Sequence, residues 1–128
     1  MKRLALLFLL LAGAPTLLAG QQTRASALKS ALKNLVIAQE NFFADHGTYT
    51  TDVSALGLYR RSGPRDSIWV QVVNAGGRSW NGRAIHQGAN LKSCVIYVGY
   101  KTDLASAPVT DADSTQAKNE GEPTCDRM

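Results

Sequence analysis

Few residues in this chain have the types and spacing to do chemistry. His46 and His86 are the only imidazoles, and neither has an Asp-Ser or Cys partner close in sequence. A general base or metal ligand needs such partners to converge on it, so ordinary surface or capping roles are expected for both. Asp111-Ala112-Asp113-Ser114-Thr115-Gln116 begins like a calcium loop. An EF-hand, however, requires Asp or Asn at the fifth position and Gly at the sixth, where Thr115 and Gln116 stand. Arg60, Arg61 and Arg65 flank Gly63-Pro64, with Tyr59, Trp69 and Trp80 nearby, and this basic, aromatic group is a candidate binding surface. No nucleic-acid motif accompanies it and the net charge is small, so nucleic acid is not the expected partner. The tryptophans are expected in the core or on a sheet face, with an exposed recognition patch as the alternative. With no catalytic constellation, the chain is not expected to be an enzyme.

The elements that position these residues begin with the N-terminus. Met1, Lys2 and Arg3 precede a run from Leu4 to Ala12 that is almost all leucine and alanine, and Pro15 follows. That is the anatomy of an export signal, so residues 1–20 are expected to be a signal peptide cut near Ala19 or Gly20. Gln21 stands where a lipid-bearing cysteine would be, and no lipid anchor is expected. The alternative is a short retained membrane helix, but the 16 residues from Leu4 to Ala19 would span only about 24 Å as a helix. A bilayer core needs roughly 30 Å. Residues 21–128 are then one exported domain in the periplasm or at the cell surface, with a modest core.

Export bears on the cysteines. Cys94 and Cys125 have no Cys-x-x-Cys spacing and no histidine beside them, and in an oxidising compartment a structural disulfide is expected. Without Lys2 and Arg3, twelve basic residues face ten acidic ones. Their distribution is uneven: Arg60 to Lys92 is basic and Asp103 to Asp126 acidic. A tail tied to the sheet by the disulfide would bring its acidic residues near that basic surface.

From about Ser26, Leu28, Leu32, Leu35, Val36, Phe42 and Phe43 recur at helical spacing, interrupted by Gln39, which predicts an amphipathic helix of about 20 residues. Gly47 is placed to cap it. Asp52 or Thr51 would cap a short turn over Val53 to Leu56 that closes at Gly57. Ser67 to Val73, Arg78 to His86 and Ser93 to Tyr100 read as three strands joined by hairpins. Thr102 to Met128 is poor in apolar residues and reads as an irregular tail. The fold class is α+β: one long N-terminal helix laid on a small antiparallel sheet.

The run from Leu28 through Ala38-Gln39-Glu40-Asn41-Phe42-Phe43-Ala44-Asp45-His46-Gly47 to Thr50 resembles the second half of the long helix of bacterial type IV pilins and type II secretion pseudopilins. So do Trp80-Asn81-Gly82-Arg83-Ala84-Ile85-His86, followed by Cys94-Val95-Ile96-Tyr97-Val98-Gly99, and the ending Gly121-Glu122-Pro123-Thr124-Cys125-Asp126. The resemblance covers residues 25–126. It implies a pilin-like globular domain with a disulfide-tied C-terminal loop, a structural subunit rather than an enzyme. Its partners would be other pilin-like or secretion-system proteins of the envelope, and the inner membrane if the N-terminal segment is retained. It requires no cofactor. Some pseudopilins hold calcium in this part of the fold, which makes Asp103, Asp111, Asp113 and Glu120 candidate oxygen ligands.

The sequence departs from the family pattern at the N-terminus. Pilins carry their apolar stretch after the leader's final glycine, whereas here it precedes Gly20 and is followed by Gln21, Gln22, Thr23 and Arg24. No acidic residue precedes Glu40. A pilin-like domain released without a fibre-forming helix is therefore expected, and a soluble periplasmic binding module on the same fold is the alternative.

Overall fold

The computed structural model describes residues 16–58, 68–88, 91–100 and 108–128, with helix side chains from Arg24 onward. Helix α1 spans Thr16–His46, 31 residues, or about 46 Å at the usual rise. It begins ten residues before the expected Ser26 and runs unbroken through Gly20 and Gln21, the expected signal boundary. The added segment contains no proline and is mostly good helix formers, and one interior glycine costs only about 1 kcal/mol. Residues 1–15 lie outside the described residues. Among the described residues, no helix is long and apolar enough to cross a membrane.

Leu28, Leu32 and Leu35 of α1 are fully buried, and so is Gln39. These four positions lie on one helical stripe. Phe42 and Phe43, expected on that face, are only half-buried. Phe42 stacks on His46 at 4.0 Å and Phe43 packs on Tyr49 at 4.8 Å. Gly47 ends the helix at φ +71°, and its N–H donates to the Phe43 carbonyl at 2.7 Å. The turn at Val53–Leu56 forms as expected, with the Asp52 carboxylate accepting from the Ser54 and Ala55 N–H groups and Gly57 closing it in the left-handed region.

Strands β1 (Ile68–Ala75), β2 (Trp80–His86), β3 (Lys92–Val98) and β4 (Thr124–Cys125) form one antiparallel sheet in that order. The three expected strands are present. The fourth is two residues long and carries no periodic signal of its own. β1 outlasts its expected end because the ladder slips between Val72 and Asn74, where the Asn81 carboxamide oxygen accepts the Asn74 N–H at 3.2 Å. A side chain there replaces the missing backbone acceptor of a β-bulge.

The helix lies mainly over β2 and β3, and Leu28, Leu32 and Leu35 pack with Val72, Trp80, Ala84, Cys94 and Ile96. Gly82 permits this closeness: a Cβ there would stand 2.9 Å from Leu35 Cδ2 and 2.9 Å from the Gln71 carbonyl. Across the sheet a second apolar cluster, Val95, Tyr97 and Ala117, lies under the C-terminal segment. The C-terminal segment is irregular as expected apart from β4 and one isolated bridge, yet it is packed on the sheet rather than loose. Residues 108–128 form a third layer, with Val109 bridging to Gln116 and Thr110, Ala117 and Asp126 buried. Composition concealed this because polar contacts hold the layer.

Candidate functional site

Two polar regions flank the sheet, one structural in character and one open. The first is built on Asp126, next to Cys125. The disulfide Cys94–Cys125 joins directly opposed residues of β3 and β4, with Cα atoms 4.0 Å apart, and delivers Asp126 beneath the tail at 3% exposure. Its Oδ2 accepts the Ser93 N–H at 2.8 Å, the Ser93 hydroxyl at 3.2 Å and the Ala112 N–H at 3.2 Å. Its Oδ1 accepts the Asp113 N–H at 2.7 Å. Burial pushes the carboxyl's pKa up, but the Thr110 hydroxyl and the backbone donors of Asp113, Ser93 and Ala112 outweigh it and hold the group below the usual carboxylate range. The Ser93 hydroxyl accepts the Asp111 N–H at 2.8 Å, and the Thr110 hydroxyl accepts the Thr115 N–H at 2.9 Å. One buried carboxylate thereby organises the 110–115 turn. Reading the sequence did not single it out; its one signal was adjacency to a cysteine expected to be tied down.

The expected meeting of acidic tail and basic sheet occurs here. Asp111 pairs with Arg83 at 2.7 Å, Asp113 stands 3.9 Å from Lys92, and Arg83 also donates to Gln71 at 2.9 Å. These contacts give the described candidate calcium ligands other partners. Asp111 is held by Arg83, Asp113 accepts the Arg127 N–H, and Glu120 accepts the Gly99 N–H at 2.7 Å on another part of the sheet. Asp103 lies outside the described residues. Among the described residues no three His, Cys, Asp or Glu side chains are grouped to hold a metal ion.

The open region is a cleft of about 620 Å³ between the Thr51–Leu58 segment and β1, lined by Asp52, Ser54, Leu58, Trp69, Gln71 and Ile85 among others. Trp69 is 39% exposed and Trp80 wholly buried. The core alternative therefore applies to Trp80, and only Trp69 is accessible. The Trp80 indole N–H has no hydrogen-bond partner in the core. Arg60, Arg61 and Arg65 lie outside the described residues, so the remainder of the candidate basic surface does too.

The histidines stay apart. His46 Nδ1 contacts the Phe42 carbonyl at 3.0 Å one turn back along α1. His86 is buried, and its Nδ1 accepts the Gly88 N–H at 3.1 Å. Both roles are local to a helix end and a turn. Comparison with protein-family profiles finds no match, and comparison with curated proteins finds no relative.

Proposed function

We propose that the chain is a non-catalytic, exported pilin-like protein, a structural or accessory component of a type IV pilus or type II secretion system in the bacterial envelope. The observation that carries this reading is architectural. A helix of 31 residues packs its apolar stripe on a small antiparallel sheet, and the disulfide from β3 binds a separate C-terminal layer. The quoted stretches of sequence that resemble pilins fall on the helix, β2, β3 and the disulfide-closed ending. Its partners are other pilin-like or secretion-system proteins. The test is to express the epitope-tagged full chain in a bacterium with an active pilus or type II secretion system and shear off its surface fibres. Recovery of the chain in the fibres, or cross-linked to assembly proteins of the envelope, supports the reading. A chain that stays in the cytoplasm, or is exported yet contacts none of these proteins, refutes it. The cleft beside Trp69 favours a second reading, a soluble periplasmic binding module.

A further inference from the structure

One covalent bond ties the C-terminal layer to the rest of the molecule, and the contacts around it depend on where it places the chain. Among the described residues, α1 and β1–β3 supply every buried member of the main apolar cluster, while the tail adds Cys125 and Met128 at its margin. On the outer face the tail's apolar contact is small, with Ala117 against Val95 and Tyr97. Along the edge of β3, the Gly121 and Asp126 N–H groups donate to the Tyr97 and Ser93 carbonyls at 2.8 and 2.9 Å, on either side of the two paired residues of β4. The 110–115 turn has the Asp126 carboxylate as its common acceptor, and Asp126 directly follows Cys125. The disulfide thus holds both the short strand and the residue that organises the turn.

We infer that Cys94–Cys125 is a redox-sensitive latch: reducing it releases the C-terminal layer as a unit, while α1 and β1–β3 stay folded. Two thiols cannot keep the separation of bonded sulfurs, so one cysteine must move. Cys94 is fully buried within the sheet and paired on its other side with Ala84, whereas Cys125 is half-buried in a strand of two residues. Cys125 therefore moves and carries Asp126 with it. The N–H groups of Ser93, Ala112 and Asp113 then lose their acceptor. Leaving such donors buried and unpartnered is costly, so the turn opens to water. A closed loop of this length disfavours that opening by roughly two to three powers of ten, and reduction removes the restraint. The reductant is a dithiol. Its thiolate attacks the Sγ of Cys125, the half-buried member of the pair; Cys94 leaves as a thiolate and takes up a proton. The reductant's second thiol then displaces Cys125 from the mixed disulfide, so two electrons and two protons reach the protein and the reductant becomes a disulfide. Opening bares the outer edge of β3 and the face of Val95 and Tyr97, which the oxidised form covers. The inference does not depend on the chain being a fibre component.

Amide hydrogen exchange, read residue by residue on the oxidised full chain with and without excess dithiothreitol, tests this directly. The amides of Ala112, Asp113, Thr115 and Ala117 should exchange about a hundredfold faster once the bond is reduced. Those of Leu32 and Leu35 in α1 and Ala84 in β2 should change by less than about threefold, because local opening leaves the global core intact. Reoxidation should restore the slow pattern, and the Cys125→Ser chain should show the reduced pattern without any reagent. Unchanged exchange in the 110–115 turn after complete reduction, verified by mass after thiol alkylation, overturns the inference, since the polar contacts would then suffice alone. Loss of protection in α1 together with the turn also overturns it, making the bond a staple of the whole fold. A bond that resists dithiothreitol for as long as the native circular dichroism persists overturns it as well.

Discussion

Replacing Asp126 by asparagine removes one acceptor oxygen and almost nothing else, which makes it a sharp probe of the C-terminal layer. The carboxylate is 3% exposed and accepts from Ser93, Ala112 and Asp113. An amide can accept on one side only. In the less damaging orientation its oxygen serves Ser93 and Ala112 while its NH₂ faces the Asp113 N–H, leaving that donor unmatched. A hydrogen bond to a charged group contributes about 1.5 to 3 kcal/mol, and an orphaned buried donor costs about 1 to 3. The expected loss is therefore about 2 to 4 kcal/mol, a large share of the roughly 5 to 15 that hold a domain of this size. Urea unfolding followed by fluorescence of the buried Trp80 measures it, and amide exchange at Ala112 and Asp113 should accelerate in step. The same contact sets an acid response. Because the folded carboxyl's pKa is depressed, its contribution is fully present above the unfolded value of about 4. It is lost as pH falls through the folded value. Asp126→Asn should flatten stability against pH below about 4. A variant within about 0.5 kcal/mol of the parent, the ordinary scatter of surface substitutions, would refute the assignment of Asp126 as the organiser of this layer.

Two further substitutions test the contacts of α1 with the loop at Thr50 and with β2. Gln39 donates to the Thr50 carbonyl at 2.7 Å and accepts its N–H at 3.1 Å, so Gln39→Leu should destabilise by about 1 to 3 kcal/mol despite its added apolarity. An unchanged urea midpoint would mean that water replaces both bonds. Gly82→Ala should cost about 1 to 3 kcal/mol by forcing α1 away from β2. Differential scanning calorimetry measures this, and a melting temperature at or above the parent's would show that Leu35 yields freely.

What could be read in advance was local. Gly47, the Asp52-capped turn and its closing Gly57 depend on a few neighbouring residues, and each formed where expected. The three longer strands followed from β-branched and aromatic runs bounded by turn residues. The disulfide followed from there being one pair of cysteines. What escaped notice depends on residues far apart in the chain. β4 exists only because Cys125 is drawn against Cys94. Asp126 matters only where Ser93 and the 110–115 turn meet it. Gln39 looked like a break in an apolar stripe, yet it is buried because its amide pairs with the backbone of Thr50 as another strand would. Trp80 and Trp69 are indistinguishable by composition, but β2 lies under the helix and β1 at the margin, and that alone separates a core residue from an accessible one. The candidate calcium ligands share a sign of charge and a stretch of chain, while Asp111, Asp113 and Glu120 each engage a different partner, Arg83, the Arg127 N–H and the Gly99 N–H.

The cross-strand disulfide also determines how the molecule would carry tension. A pull on the C-terminus reaches Cys125 and passes through the covalent bond into Cys94, so the residues between them bear none of the load. Those residues include the outer layer with Asp111, which pairs with Arg83 of β2. With the bond intact, a sequence separation of 31 residues is withheld from extension, about 100 Å of contour length at the reach of an extended chain. The force would instead meet β3 in the middle of the sheet, which resists as a block. Under tension the weakly apolar outer layer keeps its polar contacts while the rest of the domain is stretched.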